Sequence, residues 1–183
     1  PLQYSLAGKL VLGIETSCDE TAASVVAGGV RVLSNTVASQ HELHAEYRGV
    51  VPEIASRAHA ERILPVIRRA CTDAGVKLTD LHAIAIGNRP GLIGSLLVGV
   101  AAGKALAMTL DIPLVGVDHV QAHLYAGCLD LDAKTTTPPP HFGSLVPALG
   151  LVVSGGHTTI YKVLSPLHQV RLGGTIDDAI GEA

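Results

Sequence analysis

The sequence predicts an α/β fold in which three consecutive strands precede an alternation of helices and strands. Apolar runs at 10–15 and 21–27 are followed by a Gly28-Gly29 turn and a third run at 30–39, the pattern of a β-meander. Further along, short apolar runs alternate with longer stretches of helical period. Hydrophobic residues make up 48% of the 183 residues and charged residues 16%, so we expect a buried core and not a disordered chain.

The first long helix is predicted to begin at Pro52, after a polar loop at 40–49. A proline at the first helical position and Glu53 in the first turn are typical of a helix start, and Gly75 is typical of a helix end. Pro65 removes a backbone donor and is predicted to kink the helix. One face is expected to be buried, because apolar residues recur on it at i, i+4 and i+7: Ile63, Ile67 and Ala70.

The next helix is expected to be central, because its glycines permit close approach of a neighbour and an apolar stripe follows one side. The stripe consists of Leu97, Val100, Ala101 and Met108. A second meander and the start of another helix are expected after a Thr/Pro-rich stretch. The predicted bounds are 81–87, 114–117, 149–153, 158–164 and 169–172 for strands, and 94–110, 119–128 and a beginning at 175 for helices.

We expect these elements to form two lobes. Residues 1–130 would be the first lobe, 131–147 a Thr/Pro-rich loop, and 148–183 the start of a second lobe. The last stretch resembles a helix start without a stop signal, so the chain is expected to be a fragment.

Charge and composition restrict the partners and the compartment. Thirteen Lys and Arg residues oppose sixteen Asp and Glu residues, a net charge of −3, and aromatic residues are 3%, so unaided nucleic-acid binding is not expected. Cys18, Cys71 and Cys128 are widely spaced, which suits a reducing compartment. No apolar run is expected to reach the roughly 18 residues that span a bilayer, and no signal peptide is recognised. We therefore expect a cytoplasmic protein.

His119 and His123 stand four residues apart in a predicted helix, a spacing that places two imidazoles on one face. This is suitable for two ligands of one metal ion, but one capping and one surface histidine would look the same. A zinc peptidase motif would need a glutamate at position 120, where the chain has Val120.

Three turns could bind anions or cations. The Gly-rich segment 153–158 could place backbone N–H groups around a phosphate or an adenylate, or it could be an ordinary hairpin. The turn at 15–20 holds three carboxylates and two hydroxyls, which could hold a cation or simply be solvated. The segment 90–95 opens a helix, and packing is favoured there over anion binding. The sequence contains neither a P-loop nor a nucleophile-elbow motif.

Six motifs follow one another along the chain: LGIETSCDET at 12–21, GVVPEIASRAH at 49–59, PGLIGSLLVG at 90–99, Lys104-Ala105 through Pro113 to the two histidines, VSGGHT at 153–158, and IDDAIGEA at 176–183. In order and spacing they resemble the TsaD family (also called Gcp or YgjD) of tRNA-modifying proteins. The resemblance covers nearly the whole chain.

The resemblance implies the fold of actin, sugar kinases and Hsp70, whose lobes have a ribonuclease-H-like βββαβα core. It also implies an acyl transfer. The threonylcarbamoyl group would pass from threonylcarbamoyl-adenylate to the adenosine next to the anticodon, in tRNAs that read codons starting with A. A metal-dependent glycoprotein endopeptidase, a sugar or acid kinase, and a non-catalytic scaffold subunit of the same fold are the alternatives.

The resemblance further implies a set of site residues and partners. His119 and His123 would bind one divalent metal, with iron (Fe²⁺) preferred over zinc, and further ligands would lie downstream. Ser17, Asp19 and Glu20 would line the cleft as catalytic groups. The expected partners are tRNA, the adenylate, a paralogous TsaB-like subunit and a TsaE-like small ATPase, with no membrane. The adenylate would contact Val152, Val153, Ser154, Gly155 and Gly156.

The chain departs from the family pattern at a few positions. Arg48 stands where the family usually has glycine, and Asn88-Arg89 stands where it usually has a small residue and glycine. These departures affect the expected shape of two loops. The fragment alone is expected to be inactive, because half of the cleft would be missing.

Overall fold

The computed structural model describes residues 7–131, 142–154, 158–165 and 167–176. The chain divides into two compact units. The first contains Pro1–His119 and Asp130–Lys134, and the second contains Val120–Leu129 and Thr135–Ala183.

A five-stranded mixed sheet forms the centre of the first unit. Its strands in chain order are β1 (Leu10–Glu15), β2 (Glu20–Ala27), β3 (Arg31–Ser39), β4 (Ala83–Arg89) and β5 (Leu114–Asp118). The order across the sheet is β3-β2-β1-β4-β5, with the first three strands antiparallel and β4 and β5 parallel to β1. The predicted meander followed by helix and strand alternation is confirmed.

The predicted first long helix is confirmed as α2 (Pro52–Asp73). Its expected inner face is buried, and the helix is continuous through Pro65. At its end Gly75 has φ +68°, while Val76 and Gly75 donate backbone hydrogen bonds to Cys71 and Thr72, a Schellman cap. The predicted loop at 40–49 instead contains the short helix α1 (His41–His44) and a 3₁₀ turn at Ala45–Tyr47.

The core lies between the sheet and the helices α2 and α3 (Ile93–Leu110). Leu12 and Ile84, on neighbouring parallel strands, are fully buried, and Ile67 reaches them from α2. Full burial of such a side chain stabilises the fold by roughly 1.5–3 kcal/mol. In the described residues the core is therefore filled by branched aliphatic side chains of the central strands and not by aromatic rings.

Helix α3 approaches the sheet closely at two of its glycines, as expected from the sequence. Gly99 and Gly103 are buried, and so are Ser95, Leu96 and Ala107. The apolar stripe is divided between core and solvent. Val100 packs against the core, whereas Leu97 and Met108 are 60% and 83% exposed.

One helix of the described residues is long and apolar enough to cross a bilayer, by length and composition only. It is α3, whose 18 residues are interrupted by the polar side chains of Ser95, Lys104 and Thr109. In this fold its small-residue face packs on the sheet, with Gly103 against Leu114 and Ile86. A core helix of an α/β unit passes the same test of length and composition.

The second unit contains an antiparallel sheet of three strands: β6 (Ala148–Val153), β7 (Thr158–Ser165) and β8 (His168–Gly174). The predicted second meander is confirmed. Tyr125 stacks on Phe142, in the helical turn α5 (Phe142–Leu145), with ring centroids 4.3 Å apart. Most of the predicted Thr/Pro-rich loop and of the predicted helix after residue 175 lies outside the described residues.

Candidate active-site cluster

The candidate site of the first unit lies at one edge of its sheet, where parallel strands end. Glu15 is the last residue of β1, and Asp118 is the last residue of β5. His119 follows immediately as the first residue of α4 (His119–Tyr125). Because β1, β4 and β5 are parallel, their carboxyl ends meet at this edge, which is where open α/β sheets bind ligands.

Glu15 and His119 form a half-buried pair. The Nδ1 atom of His119 lies 3.1 Å from Oε2 of Glu15, and each side chain is 32% exposed. The other carboxylate oxygen, Oε1, accepts a hydrogen bond from the backbone N–H of Ser17. The Ser17 hydroxyl is 3.4 Å from Nδ1 of His119. Two neighbouring side chains of the turn after β1 thus meet a histidine that lies 104 positions after Glu15 in the sequence.

The pair shifts the pKa of both partners towards their charged forms. Burial alone would raise the pKa of Glu15, but hydrogen bonds from His119 and Ser17 and the charge of His119 outweigh it, so this pKa lies below its ordinary value. The hydrogen bond to Glu15 raises the pKa of His119, against a smaller lowering by burial. The carboxyl group is therefore a carboxylate at neutral pH.

Two glycines provide the space for this cluster. A Cβ atom at Gly87 of β4 would collide with the carboxylate of Glu15. A Cβ atom at Gly91 would lie 2.6 Å from the carbonyl oxygen of Ser17, and Leu92 donates a backbone hydrogen bond to the same oxygen at 2.8 Å. The segment before α3 therefore packs directly on the Ser17 turn, in agreement with the packing interpretation of its sequence.

Behind the turn lies a fully buried histidine, His59 of α2. Its Nε2 atom is 3.0 Å from the carbonyl oxygen of Cys18 and must donate to it. Its Nδ1 atom therefore accepts the hydroxyl hydrogen of Thr21, at 2.7 Å. Burial lowers the pKa of His59, against a smaller raising by the bond to Cys18, so the ring is held neutral.

The hydrogen-bond network continues from His59 into the loop after β3. Nε2 of Gln40 lies 3.3 Å from Nδ1 of His59, and Oε1 of Gln40 lies 3.2 Å from Nε2 of His44. The backbone N–H of Val51 donates to Nδ1 of His44 at 3.3 Å. This buried chain ties the Ser17–Asp19 turn to the start of α2.

The thiol of Cys18 is exposed but poorly ionised. Although the residue as a whole is exposed, partial desolvation of its sulfur raises its pKa, and the nearby negative charges of Asp19 and Glu15 raise it further, to about 11. Since the thiolate is the nucleophile and metal ligand, Cys18 is a weak candidate for either role at neutral pH.

The sequence-predicted site residues are distributed over both units. Ser17 and His119 meet in the cluster, whereas Glu20 begins β2 with an exposed side chain. The backbone carbonyl of Asp19 accepts a hydrogen bond from Gln40 at 3.0 Å. His123 lies on α4 in the second unit.

The predicted adenylate segment lies in the second unit. Val152 and Val153 end β6, and Ser154 follows, while Gly155 and Gly156 lie outside the described residues. Val153 pairs with Thr158, so the segment connects two antiparallel neighbours. A hairpin at this point of the chain, one of the two interpretations of the glycine-rich segment, also connects consecutive antiparallel strands.

A metal ion would find an incomplete set of ligands in the described part of the chain. No group of three or more His, Cys, Asp or Glu side chains comes together there to hold one. The chemistry of the Glu15–His119 pair nevertheless fits a divalent cation, because histidine ligands of metals commonly donate their second ring N–H to a carboxylate. His119 therefore fits the implied role, with further ligands required.

Sequence reasoning did not assign roles to Glu15 and His59. Glu15 was grouped with its neighbours in an acidic turn, and nothing local pointed to a partner 104 residues away. His59 precedes Ile63 and Ile67 by four and eight positions, so it lies on the predicted buried face. That register was the available signal for a buried, hydrogen-bonded histidine.

Solved structures share the fold. YeaZ from Pseudomonas aeruginosa superimposes with a TM-score of 0.55 at 21% identity, over 90% of this chain and 65% of that one. The α/β fold of the actin, sugar-kinase and Hsp70 type, expected from the motifs, is confirmed.

Sequence comparisons give the family. The family model for TsaD, described as tRNA N6-adenosine threonylcarbamoyltransferase, matches residues 31–183. Proteins with that name from Symbiobacterium thermophilum and Trichlorobacter lovleyi are 58% and 54% identical to this chain over 174 residues, which is 95% of this chain and 48% of each relative. The chain spans about half the length of these curated relatives. With a match of this extent, the chain belongs to the TsaD family of tRNA N6-adenosine threonylcarbamoyltransferases.

Proposed function

We propose that the protein containing this chain transfers a threonylcarbamoyl group from threonylcarbamoyl-adenylate to the adenosine next to the anticodon, in tRNAs that read codons starting with A. The observation that supports this proposal is the identity of 58% with a named transferase along 95% of the chain. In this reaction the N6 amine attacks the acyl carbon, the bond to the phosphate oxygen breaks, AMP leaves, and the amine gives up one proton.

We assign the residues of the chain to three roles. His119 and His123 would hold one divalent metal, Fe²⁺ in preference to zinc, together with ligands outside the described residues. When bound, the metal would supply a Lewis acid for the acyl carbonyl. Ser17, Asp19 and Glu20 would orient the reacting groups, while Val152, Val153, Ser154, Gly155 and Gly156 would bind the adenylate.

The cluster in the first unit supports a positioning mechanism. The acyl group of a mixed anhydride is already activated, so catalysis depends mainly on holding the amine against the acyl carbon. The Ser17 turn is suited to this role because its backbone is fixed by Leu92, by Glu15 and through Cys18 by His59. A rigid turn holds the groups that it carries within the narrow range that the reaction needs.

The partners of this activity would share the binding of tRNA. A chain with a net charge of −3 has little electrostatic attraction for RNA of its own. We propose that a paralogous TsaB-like subunit and a TsaE-like small ATPase form the assembly with it in the cytoplasm.

The activity is tested in a strain depleted of the protein, by mass spectrometry of its tRNA nucleosides. We expect threonylcarbamoyladenosine to disappear and to return when the complete gene is restored. Unchanged levels of the modified nucleoside after depletion would contradict the proposed reaction.

The metal assignment is tested by elemental analysis of the complete protein. His119→Ala and His123→Ala should each lower the metal content per chain, because each removes one ligand. His82→Ala is the control, since His82 is exposed and outside the cluster. Stoichiometric metal in both His119 and His123 variants would overturn the assignment.

A further inference from the structure

The carboxylate of Glu15 has a defined partner at each oxygen. Oε1 accepts the backbone N–H of Ser17, and Oε2 lies 3.1 Å from Nδ1 of His119. Because a carboxylate can only accept hydrogen bonds, the hydrogen of this second contact must be on Nδ1 of the imidazole. The contact therefore determines which ring nitrogen carries the proton when His119 is neutral.

The position of Glu15 is fixed by the fold as well as by its hydrogen bonds. It ends β1, which pairs with β4, and Gly87 of β4 leaves room for its carboxylate. A side chain at Gly87 would displace the carboxylate, since even a Cβ atom would collide with Oε2. The sheet thus holds the acceptor in one place, and the ring of His119 has to orient towards it.

We propose that Glu15 is a positioning residue that fixes His119 as the Nδ1–H tautomer, so that His119 binds its metal through Nε2. This inference rests on the proposed function, in which His119 is a metal ligand. A carboxylate behind a metal-bound imidazole fixes the ring orientation and makes the ligating nitrogen more basic. Glu15 would act through His119 and would not itself touch the substrate.

The first test measures the tautomer directly in the metal-free protein. With ¹⁵N-labelled histidine, long-range ¹H–¹⁵N NMR at alkaline pH, where the ring is neutral, should show His119 protonated at Nδ1. In Glu15→Ala this pattern should be lost. Glu15→Gln should retain part of it, because the amide oxygen can still accept the hydrogen. An Nε2–H tautomer in the parent, or an unchanged tautomer in Glu15→Ala, would overturn the proposal.

The second test measures metal affinity, with Zn²⁺ as the probe and the complete protein. Loss of a carboxylate that supports a histidine ligand typically weakens metal binding about 10- to 100-fold. We expect such a loss for Glu15→Ala and a smaller one for Glu15→Gln. Glu61→Ala is the control, since Glu61 is exposed on α2. Parent-like affinity in a folded Glu15→Ala variant would contradict the proposal.

The two measurements separate this inference from the proposed function. If the parent binds Zn²⁺ and transfers the acyl group, but Glu15→Ala keeps both affinity and tautomer, only the role of Glu15 fails. If the parent binds no metal, the assignment of His119 as a ligand fails, and with it ligation through Nε2. Circular dichroism of each variant shows whether the fold is retained.

Discussion

At the scale of single residues, the chain holds a neutral histidine where solvent cannot reach it. His59 is fully buried and makes hydrogen bonds to Thr21 and to the Cys18 carbonyl. Both bonds use the neutral ring, with one nitrogen as donor and the other as acceptor. Protonation at Nδ1 would convert an acceptor into a donor that faces the Thr21 hydroxyl.

The free energy of unfolding should therefore depend on pH through His59. Its pKa in the folded state is lowered, chiefly by burial, so the unfolded chain binds the proton more tightly. This contribution to stability is complete above the unfolded pKa of about 6.5 and is lost as the pH falls below it. The measurement is the free energy of unfolding, obtained with a denaturant at several pH values between about 5 and 8, the range in which a histidine titrates.

His59→Gln should reduce this acid loss relative to the parent and also lower stability at neutral pH by about 1–3 kcal/mol. His41→Gln is the control, because His41 is exposed. Comparing each variant with the parent cancels the contribution of His119, whose raised pKa acts in the opposite direction. An acid loss of the same size in His59→Gln would rule out His59 as its source.

A second prediction concerns Cys18. Its pKa of about 11 means that its thiolate is scarce at neutral pH, although the residue is exposed. Alkylation by iodoacetamide should still accelerate above about pH 9.5, where a thiol with the ordinary pKa of roughly 8.5 has already reached its plateau. Mass spectrometry of the modified peptide gives the rate, and a plateau at or below about pH 9.5 would contradict the prediction.

A third prediction concerns Arg48, a non-glycine residue with φ 53°. A side chain in this left-handed region costs roughly 1–2 kcal/mol, partly offset by the greater flexibility of glycine in the unfolded chain. Arg48→Gly should raise the free energy of unfolding by up to about 1 kcal/mol. Glu46→Gly, in the adjacent 3₁₀ turn, should lower it, and equal effects of the two variants would refute the argument.

At the scale of elements, α3 shows which part of a helix's packing can be predicted from sequence. Its length and apolar character predicted the element within one residue of Ile93–Leu110. Its glycines predicted a close approach, and Gly99 and Gly103 are buried. The apolar stripe did not predict burial residue by residue, because Val100 packs against the core while Leu97 and Met108 are exposed. Hydrophobicity ranks residues by apolar size, whereas close contact between a helix and a sheet selects small ones.

The small face of α3 gives a fourth prediction, from two glycines on one helix. A Cβ atom at Gly99 would collide with Thr16 and lie 3.0 Å from Cδ1 of Ile86, and both of these side chains are buried. Gly99→Ala should therefore lower the free energy of unfolding by about 1–3 kcal/mol. At Gly103 the nearest atom, Cδ1 of Leu114, is 3.3 Å away at the end of a flexible side chain.

Gly103→Ala is the matched control, since alanine favours a helix over glycine by about 1 kcal/mol and the neighbour can adjust. We expect this variant to be as stable as the parent or slightly more stable. Chemical denaturation of both variants measures the difference. A Gly99 variant as stable as the Gly103 variant would show that Thr16 and Ile86 can move aside.

At the scale of the whole molecule, topology was easier to predict than the site. Three strands followed by helix and strand alternation could be recognised from periodicity, because each element carries its own local pattern. His119 could be recognised by its spacing from His123, again a local feature. Its contact with Glu15 could not, because it depends on how β1 and β5 are arranged on either side of β4.

That arrangement also governs how the cluster responds to motion. In the described sheet β5 is an outer strand, bonded on one side to β4, and Val115 within it is 51% exposed. Outer strands open with less free energy than the centre of a sheet, so amide hydrogens of β5 exchange with solvent before those of β1. Such an opening separates His119 from Glu15 while β1, β2 and β3 remain paired. We therefore expect mild heating to separate His119 from Glu15 before the hydrophobic core unfolds, and hydrogen exchange of the β5 and β1 amides at rising temperature measures the order of the two events.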